Sequence, residues 1–253
     1  MTSFEWLGGP TGILRHAAAT FLIDPMLGPR GPDAFVLPQH PSTGAANARI
    51  ARYTRQPHSI GEVDAIVLSH PHNDHFDATA KEILPKGKPL VVPPTAIAMV
   101  EAAGFRDVRA IDWGESITIA GTVITAIEAH HAHDPALDQK LGRGNGYTFA
   151  WPDYRVYWTG DAVLTDASPR GPFDLALIHM GGVGGDGVVG LRSMIADEAI
   201  ELVRRIDSRI VIPIHHTSFS HYREPIEALE QRAADAGLSE RFRFPVEQQV
   251  ISL

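Results

Sequence analysis

Three histidines and an aspartate occupy six consecutive positions within the stretch "VLSHPHNDHFD" at residues 67–77. His70, His72, Asp74 and His75 directly follow "VDAIVLS", an apolar run with the length of a buried strand. Irregular backbone just past a buried strand can direct several side chains at one point. Imidazole and carboxylate together suit zinc, and also manganese or iron. The stretch therefore predicts a metal site, and the alternative is a polar loop with exposed histidines.

The composition excludes several functional classes. The chain has 253 residues, a net charge of −8 and no cysteine. Disulfides and thiolate metal sites are therefore excluded, and the acidic balance argues against nucleic acid as a partner. The N-terminal "MTSFEWLGGP" lacks a basic segment followed by an apolar one, and no apolar run is long enough for a membrane span. We expect a cytoplasmic protein with a small-molecule substrate, while the oligomeric state has no signal in the sequence.

Strand-like runs dominate both halves of the chain. They lie at residues 19–24, 64–69, 88–93, 116–129, 146–151, 154–160, 174–179 and 209–214. Helix-like segments lie at 77–84, 93–104, 195–206 and 224–237. The pair at 146–151 and 154–160 predicts an antiparallel hairpin. This order indicates two β-rich halves with helices outside, and the Pro- and Gly-rich residues 25–62 predict a long loop or lid.

The segment "HPHNDH" resembles the H-x-H-x-D-H signature of the metallo-β-lactamase superfamily. The family's later ligands have counterparts in "ITAIEAHH", "YWTGDA" and "RIVIPIHH", which supply His131, Asp161 and His215. The opening segment "FEWLGGPTGILRHAAATFLIDPML" resembles the family's N-terminal hairpin and its Ile-Asp-Pro turn at Asp24. Within the superfamily, the chain is most similar to the branch of ascorbate-phosphate lactonase.

The resemblance implies a mixed α/β fold and a metal site with two cations. The fold would be a four-layer αβ/βα sandwich of two mixed β-sheets flanked by helices, with residues 1–253 forming a single domain. Two divalent metal ions would lie in a cleft at one edge, with zinc ranked first and manganese or iron as alternatives. The implied ligands are His70, His72 and His131 for one metal, Asp74, His75 and His215 for the other, and Asp161 between them.

The same resemblance implies hydrolysis. A hydroxide bridging the metals would attack an ester-like bond, and the catalytic carboxylates would be Asp74 and Asp161. A lactone or phosphorylated sugar lactone is favoured as substrate, with a phosphodiester or thioester as alternatives. Asp24 is a candidate partner for a ligating imidazole. A different class of function is also open, that of a mononuclear non-haem iron oxygenase of the same superfamily acting on persulfides.

Some assignments stay open at the level of sequence. "AHHAHD" contains His130 and His131 side by side, and the family's spacing favours His131 as the ligand. The candidate substrate contacts are Arg143, His179, His221 and Tyr222. The segment 133–146 is expected to be a polar loop bordering the cleft, and the glycine-dense segment 179–190 a flexible loop. His16, His40 and His58 are expected to lie in exposed loops, whereas His216 is expected to pack beside the ligand His215.

Overall fold

Two large β-sheets and a separate hairpin organise the computed structural model, which describes residues 1–57, 59–185 and 190–253. The strands are β1 (Thr2–Gly8), β2 (Thr11–His16), β3 (Ala19–Ile23), β4 (Gly31–Gln39), β5 (Ala46–Arg52), β6 (Ala65–Val67), β7 (Leu90–Val92), β8 (Val108–Ala110), β9 (Ser116–Ile119), β10 (Thr122–Ala129), β11 (Gly144–Ala150), β12 (Arg155–Trp158), β13 (Phe173–His179), β14 (Ser208–Ile214) and β15 (Gln249–Ser252). The α-helices are α1 (Ala78–Ile83), α2 (Ile97–Ala102), α3 (Pro135–Leu141), α4 (Ala196–Ile206) and α5 (Ile226–Asp235). None of the helices in these described ranges is long and apolar enough to cross a membrane.

Both large sheets mix antiparallel and parallel pairing. The first has the order β15-β1-β2-β3-β6-β7-β8, antiparallel from β15 to β3 and parallel from β3 to β8. The second has the order β14-β13-β12-β11-β10-β9, in which only the β12, β13 and β14 pairings are parallel. Strands β10, β12, β13 and β14 therefore run in one direction, and their carboxyl ends meet at one edge.

Three apolar clusters fill the spaces between layers of sheets and helices. Side chains from both sheets, among them Phe21, Phe149 and Trp158, fill the space between the sheets. Helices α1 and α2 cover the outer face of the first sheet, and α4 and α5 cover that of the second. The resulting order is helix, sheet, sheet, helix, so the predicted four-layer sandwich with two mixed sheets is confirmed.

Helix α4 illustrates how sequence pattern produces this packing. Its buried residues recur at intervals of three and four, which places them on the face toward the second sheet. Leu202 and Ile206 are fully buried, and each burial stabilises the fold by about 1.5–3 kcal/mol. Acidic residues in the first turn and Arg204 and Arg205 in the last complement the helix dipole.

Residues 31–52 form a hairpin inside the segment 25–62, so the part of the prediction that expected a loop without strands was wrong. Strands β4 and β5 pair antiparallel, with Phe35 opposite Ile50. Pro32 and Pro38 misled the sequence analysis, because proline is tolerated in a two-stranded edge where one N–H needs no partner. The hairpin packs through Phe35 on Phe219, whose ring centroids are 5.2 Å apart. The hairpin therefore covers the chain segment that follows β14.

Two further expectations about local structure need correction. The run 116–129 is two strands, because Ala120 and Gly121 adopt left-handed φ angles of 48° and 74° and reverse the chain between β9 and β10. The segment 133–146 contains helix α3, which begins after Asp134, whose carboxylate accepts the N–H of Leu137 at 2.8 Å. An Asp-Pro helix start was therefore present in a stretch that was interpreted as polar loop.

The histidines expected in exposed loops behave differently from one another. His16 ends β2 and is buried, with its Nδ1 2.7 Å from the Thr2 hydroxyl and its ring against Trp151. That expectation was wrong, because the ring packs under the β11–β12 turn. His40 is half-buried beyond β4, and His58 lies outside the described residues. The glycine-dense segment is described only as far as residue 185 and again at residue 190.

Candidate metal centre

Strand ends from both sheets direct histidine and aspartate side chains into one cleft. The segment after β6 contributes four of them, and the segments after β10, β12 and β14 contribute one each. Among the described residues, ligand atoms lie within 4.8 Å of one another in two groups on this cleft: His70, His72 and His131 form the first, and His75, Asp161, His179 and His215 form the second. The structure thus brings together the side chains that were predicted to converge.

The first group presents facing lone pairs. His70 Nε2 lies 3.0 Å from His72 Nδ1. The other nitrogen of His72 donates to the Leu141 carbonyl at 2.8 Å, and the other nitrogen of His70 lies 2.8 Å from the Ser69 hydroxyl. That hydroxyl is 2.5 Å from the Asp24 carboxylate and donates to it, so it accepts from His70. Both facing nitrogens are then unprotonated in the neutral rings, and a shared cation would relieve their repulsion.

His131 completes this group. Its Nε2 is buried and has no hydrogen-bond partner in the described parts of the chain. Burial, aided by charge on His72, lowers the pKa of His131 to about 4, so the ring is neutral at pH 7. An orphaned, neutral imidazole nitrogen aimed at two others is what a metal ligand requires.

His130 is oriented away from that point. Its Nδ1 lies 2.7 Å from Asp138 and its Nε2 lies 2.8 Å from Glu128, so both ring nitrogens are already engaged. Asp138 belongs to α3 and also accepts the backbone N–H of His131 at 2.7 Å. The helix thus separates the two adjacent rings, and the geometry favours His131 over His130.

The second group is centred on a carboxylate. Asp161 Oδ2 lies 3.2 Å from His75 Nε2, and Asp161 Oδ1 lies 3.3 Å from His215 Nε2. The two imidazole nitrogens are 3.0 Å apart. Asp74 Oδ2 lies slightly farther out, 3.8 Å from His75 and 3.7 Å from His215. These four side chains could hold a cation between them.

Negative charge is concentrated around the second group. Burial opposes charge on His75, but the carboxylates of Asp161 and Asp24 raise the pKa of His75 well above its usual range. Burial would raise the pKa of Asp161, yet His215 and His75 hold that pKa well below its usual range. Asp161 therefore remains ionised, and the surrounding groups favour positive charge at this position.

Asp24 orients the ligand rings from behind. Its carboxylate lies 2.6 Å from His75 Nδ1 and accepts the backbone N–H of Ser69 at 2.7 Å. His75 Nδ1 is thereby the donor, and its Nε2 faces the cleft. Asp24 and His215 both adopt left-handed backbone, with φ of 38° and 55°. Such strain in non-glycine residues concentrates at functional sites.

Gly160 explains how Asp161 comes so close to the first sheet. A Cβ at position 160 would lie 2.9 Å from the Asn145 carbonyl oxygen and 2.9 Å from Ser69 Cβ, and the residue has a φ of 57°. Only glycine fits this turn without strain. The "TGD" sequence therefore serves to turn the chain so that Asp161 meets the side chains that follow β6.

His179 lies behind Asp161 and not on the cleft surface, contrary to its prediction as a substrate contact. Its side chain is fully buried at the end of β13. Trp158 Nε1 donates to His179 Nε2 at 2.8 Å, which leaves Nδ1 as the donor to Asp161 Oδ1, also at 2.8 Å. Burial lowers the pKa of His179 to about 4, so the ring is neutral. It can orient the carboxylate without competing for a cation.

The cleft that side chains of both groups line has a volume of about 580 Å³. One wall is apolar and comes from Phe35, Val36 and Leu37 of the hairpin. His221 and Tyr222, two of the residues predicted to contact substrate, also line the cleft. The Tyr222 hydroxyl lies 2.6 Å from His215 Nδ1. Burial and the nearby carboxylates raise the pKa of Tyr222 well above its usual range, so this hydroxyl stays protonated.

Arg143 does not line this cleft. Its guanidinium pairs with Asp112 at 2.5 Å and lies over the Trp113 ring, 3.7 Å from the centroid. The arginine that does line the cleft is Arg192, which sequence analysis missed. Arg192 lies in an irregular segment before α4, where neither periodicity nor a motif marks it.

The donor set fits divalent metal. The residues offer neutral imidazoles, ionised carboxylates, an orphaned ring nitrogen and fixed hydrogen bonds behind the rings, which together define a metal site. The bridging role of Asp161 and the number of ions stay predictions, since Asp161 belongs to the second group alone.

Comparisons with known proteins find both similar sequences and similar structures. The Beta-lactamase superfamily domain profile matches residues 19–216. The chain is 27% identical over 244 residues to the UPF0173 protein YddR of Bacillus subtilis, covering 93% of each. It is 29% identical to the UPF0173 metal-dependent hydrolase PH1671 of Pyrococcus horikoshii, covering 65% of this chain and 71% of that one. A possible metal-dependent hydrolase from Veillonella parvula superposes with a TM-score of 0.85 at 25% identity, covering all of both chains. With more than three-quarters of its length matched to the profile and its ligand-type residues converging in one cleft, the chain belongs to the metallo-β-lactamase superfamily and is a metal-dependent hydrolase.

Proposed function

We propose that this hydrolase holds two divalent cations, zinc first, and cleaves an ester-like bond in a small molecule. A lactone is the favoured substrate, with thioesters and phosphodiesters as alternatives. The observation that carries the proposal is the pair of adjacent ligand groups opening on one cleft, each able to hold one ion. The first would use His70, His72 and His131, and the second would use Asp74, His75, Asp161 and His215.

The residues of the two groups would have different roles in holding the ions. Bound divalent cations would supply an activated water at neutral pH and would polarise the scissile bond. Three imidazole ligands at the first site would leave a place there for water. Asp161 lies where it can contact the second site directly, and its charge reaches His70 and His131 in the first group. We expect Asp161 to help hold the ions at both sites.

Asp74 is the carboxylate that reaches furthest into the cleft. Its side chain is 24% exposed, whereas that of Asp161 is 12% exposed. Burial would raise the pKa of Asp74, but His75 and His215 lower it, so the carboxylate is ionised at pH 7. From this position its oxygen can hold a proton taken from water and pass it to the departing oxygen.

The size and walls of the cleft favour a small ester over a polymer. Its volume of about 580 Å³ is that of a small-molecule site. A lactone ring would pack on the apolar hairpin wall while its carbonyl faces the ligand groups. Tyr222, kept protonated, could donate a hydrogen bond at the same end of the cleft.

Elemental analysis followed by a hydrolysis screen tests the proposal. We expect two divalent ions per chain and cleavage of at least one member of a panel of lactones, thioesters and phosphodiesters. An oxygen electrode with persulfide substrates covers the oxygenase alternative. One iron per chain with oxygen uptake would overturn the proposal. Full metal loading without hydrolysis of any panel member would also count against it.

A further inference from the structure

Arg192 is held rigidly beside the first ligand group. Its backbone N–H donates to the Val183 carbonyl at 2.8 Å. The neighbouring Ser193 hydroxyl accepts the Val183 N–H at 2.8 Å. The Arg192 carbonyl lies 3.5 Å from His131 Nδ1. The base of this side chain is therefore fixed in the cleft wall, close to a proposed metal ligand.

The guanidinium of Arg192 has no anionic partner in residues 1–57, 59–185 or 190–253. Its Nε is buried without a hydrogen bond to any of these residues. The buried Arg52 instead donates to the carbonyls of Met26 and Gly28 and to the Thr54 hydroxyl. An unpaired cation that is partly removed from water is costly, and burial lowers the pKa of Arg192 accordingly. Such a group is stabilised when a ligand brings the missing anion.

The distribution of charge in the cleft indicates that the anion for Arg192 would come from a ligand. The carboxylates Asp74 and Asp161 lie among the histidines of the second group. The hairpin wall is apolar. Arg192 is the one arginine or lysine among the described residues that line the cleft. A substrate that reaches from the ligand groups to Arg192 would therefore meet a cation prepared for an oxyanion.

We infer that Arg192 is a specificity residue that receives a carboxylate or phosphate group carried by the substrate away from the bond that is cleaved. The inference rests on the proposed hydrolase function and narrows its substrates to anionic esters. Guanidinium binds such groups with two parallel hydrogen bonds, which fixes orientation as well as charge. The apolar wall would then pack against the segment between the anionic group and the ester.

Matched ester pairs test the inference in the metal-loaded enzyme. One pair is 4-nitrophenyl hydrogen glutarate and its neutral methyl ester. We expect wild-type kcat/KM to favour the anionic ester at least tenfold. Arg192→Met should remove that preference, mainly through KM, and leave the neutral ester within about twofold. Arg192→Lys should recover only part of it, because an ammonium lacks the paired donors. Arg232→Met, an exposed helix α5 position paired with Asp197, is the control for loss of charge.

Binding without turnover separates this inference from the proposed function. Valerate, glutarate and 4-phosphonobutyrate would be titrated calorimetrically into metal-loaded wild type and Arg192→Met. Glutarate should bind wild type at least tenfold more tightly than valerate, and the ratio should fall to within about threefold in the variant. If wild type prefers 4-phosphonobutyrate to valerate by a larger factor than it prefers glutarate to valerate, the group that Arg192 receives is a phosphate. Unchanged ratios in the variant would overturn the role of Arg192, even if esters are cleaved. If no ester is cleaved but the ratios collapse in the variant, the role of Arg192 stands while the proposed reaction falls.

Discussion

Nδ1 of His179 lies 2.8 Å from Oδ1 of Asp161, and the opposite ring nitrogen accepts the indole N–H of Trp158 at 2.8 Å. The indole can only donate, so it determines which tautomer of His179 is present. The ring must then donate to the carboxylate. A chain of two hydrogen bonds therefore links the inter-sheet core, where Trp158 lies, to the carboxylate at the centre of the second group.

His179→Phe should weaken metal binding by about 10–100-fold, because Asp161 would lose the donor that holds it in position. Chelator competition would measure the apparent dissociation constant, and circular dichroism would confirm the fold. His16→Phe, which changes a buried histidine remote from Asp161, is the matched control. If His179→Phe and His16→Phe both bind metal with the wild-type dissociation constant, His179 has only a packing role.

Comparison of His131→Ala with His130→Ala tests the choice between the two adjacent histidines. The His131 variant should lose one metal per chain, because its orphaned Nε2 faces the first group. The His130 variant should retain the metal, since its nitrogens bond to Asp138 and Glu128. Elemental analysis of the two purified proteins gives the answer. Metal loss in the His130 variant alone would reverse the assignment.

Asp161→Asn should lower metal occupancy and turnover together. The amide has a similar size, yet it removes the charge that lies 3.2 Å from His75 Nε2 and 3.3 Å from His215 Nε2. We expect a loss of at least ~10²-fold in kcat. Asp153→Asn, at an exposed carboxylate paired with His16, is the control for charge alone. Full metal content with an unchanged rate would exclude the proposed bridging position.

Sequence predicted the converging side chains well because they follow strands. A buried strand fixes the point at which the next residues leave the sheet, so His70 to His75 and His215 could be placed from the apolar runs before them. Their roles as ligands stay predictions. The mixed sheets and the four layers followed from the family resemblance, since strand order between non-adjacent segments has no local signal.

The parts that sequence could not predict depend on contacts between distant segments. Arg143 was chosen because it follows the predicted ligand His131, but it pairs with Asp112 in a loop 31 residues earlier. Arg192 faces the cleft because its backbone pairs with Val183, and neither residue lies in a segment with a periodic pattern. The hairpin of β4 and β5 was missed because its prolines are typical of loops, and its packing on Phe219 is a contact with a distant segment that has no local signal.

Acid should destabilise the metal-free protein below about pH 6.5. Burial lowers the pKa values of His131, His179, His216 and His221 to about 4. Between pH 6.5 and 4 these histidines are protonated in the unfolded chain but stay neutral in the folded chain. Their contribution to the free energy of unfolding is therefore fully present above pH 6.5 and is lost as the pH falls toward 4. Each group contributes at most about 1.4 kcal/mol per pH unit in that window.

His216→Phe tests this sign directly. The ring of His216 packs on Trp6 with centroids 4.8 Å apart, and its buried Nε2 has no partner among the described residues, so phenylalanine can replace it. Urea unfolding with chelator present, from pH 7.5 to 4, would give the free energy of unfolding for both proteins. The variant should lose stability less steeply, by up to about 1.4 kcal/mol per pH unit. Parallel curves would mean that His216 is protonated in the folded state as readily as in the unfolded chain.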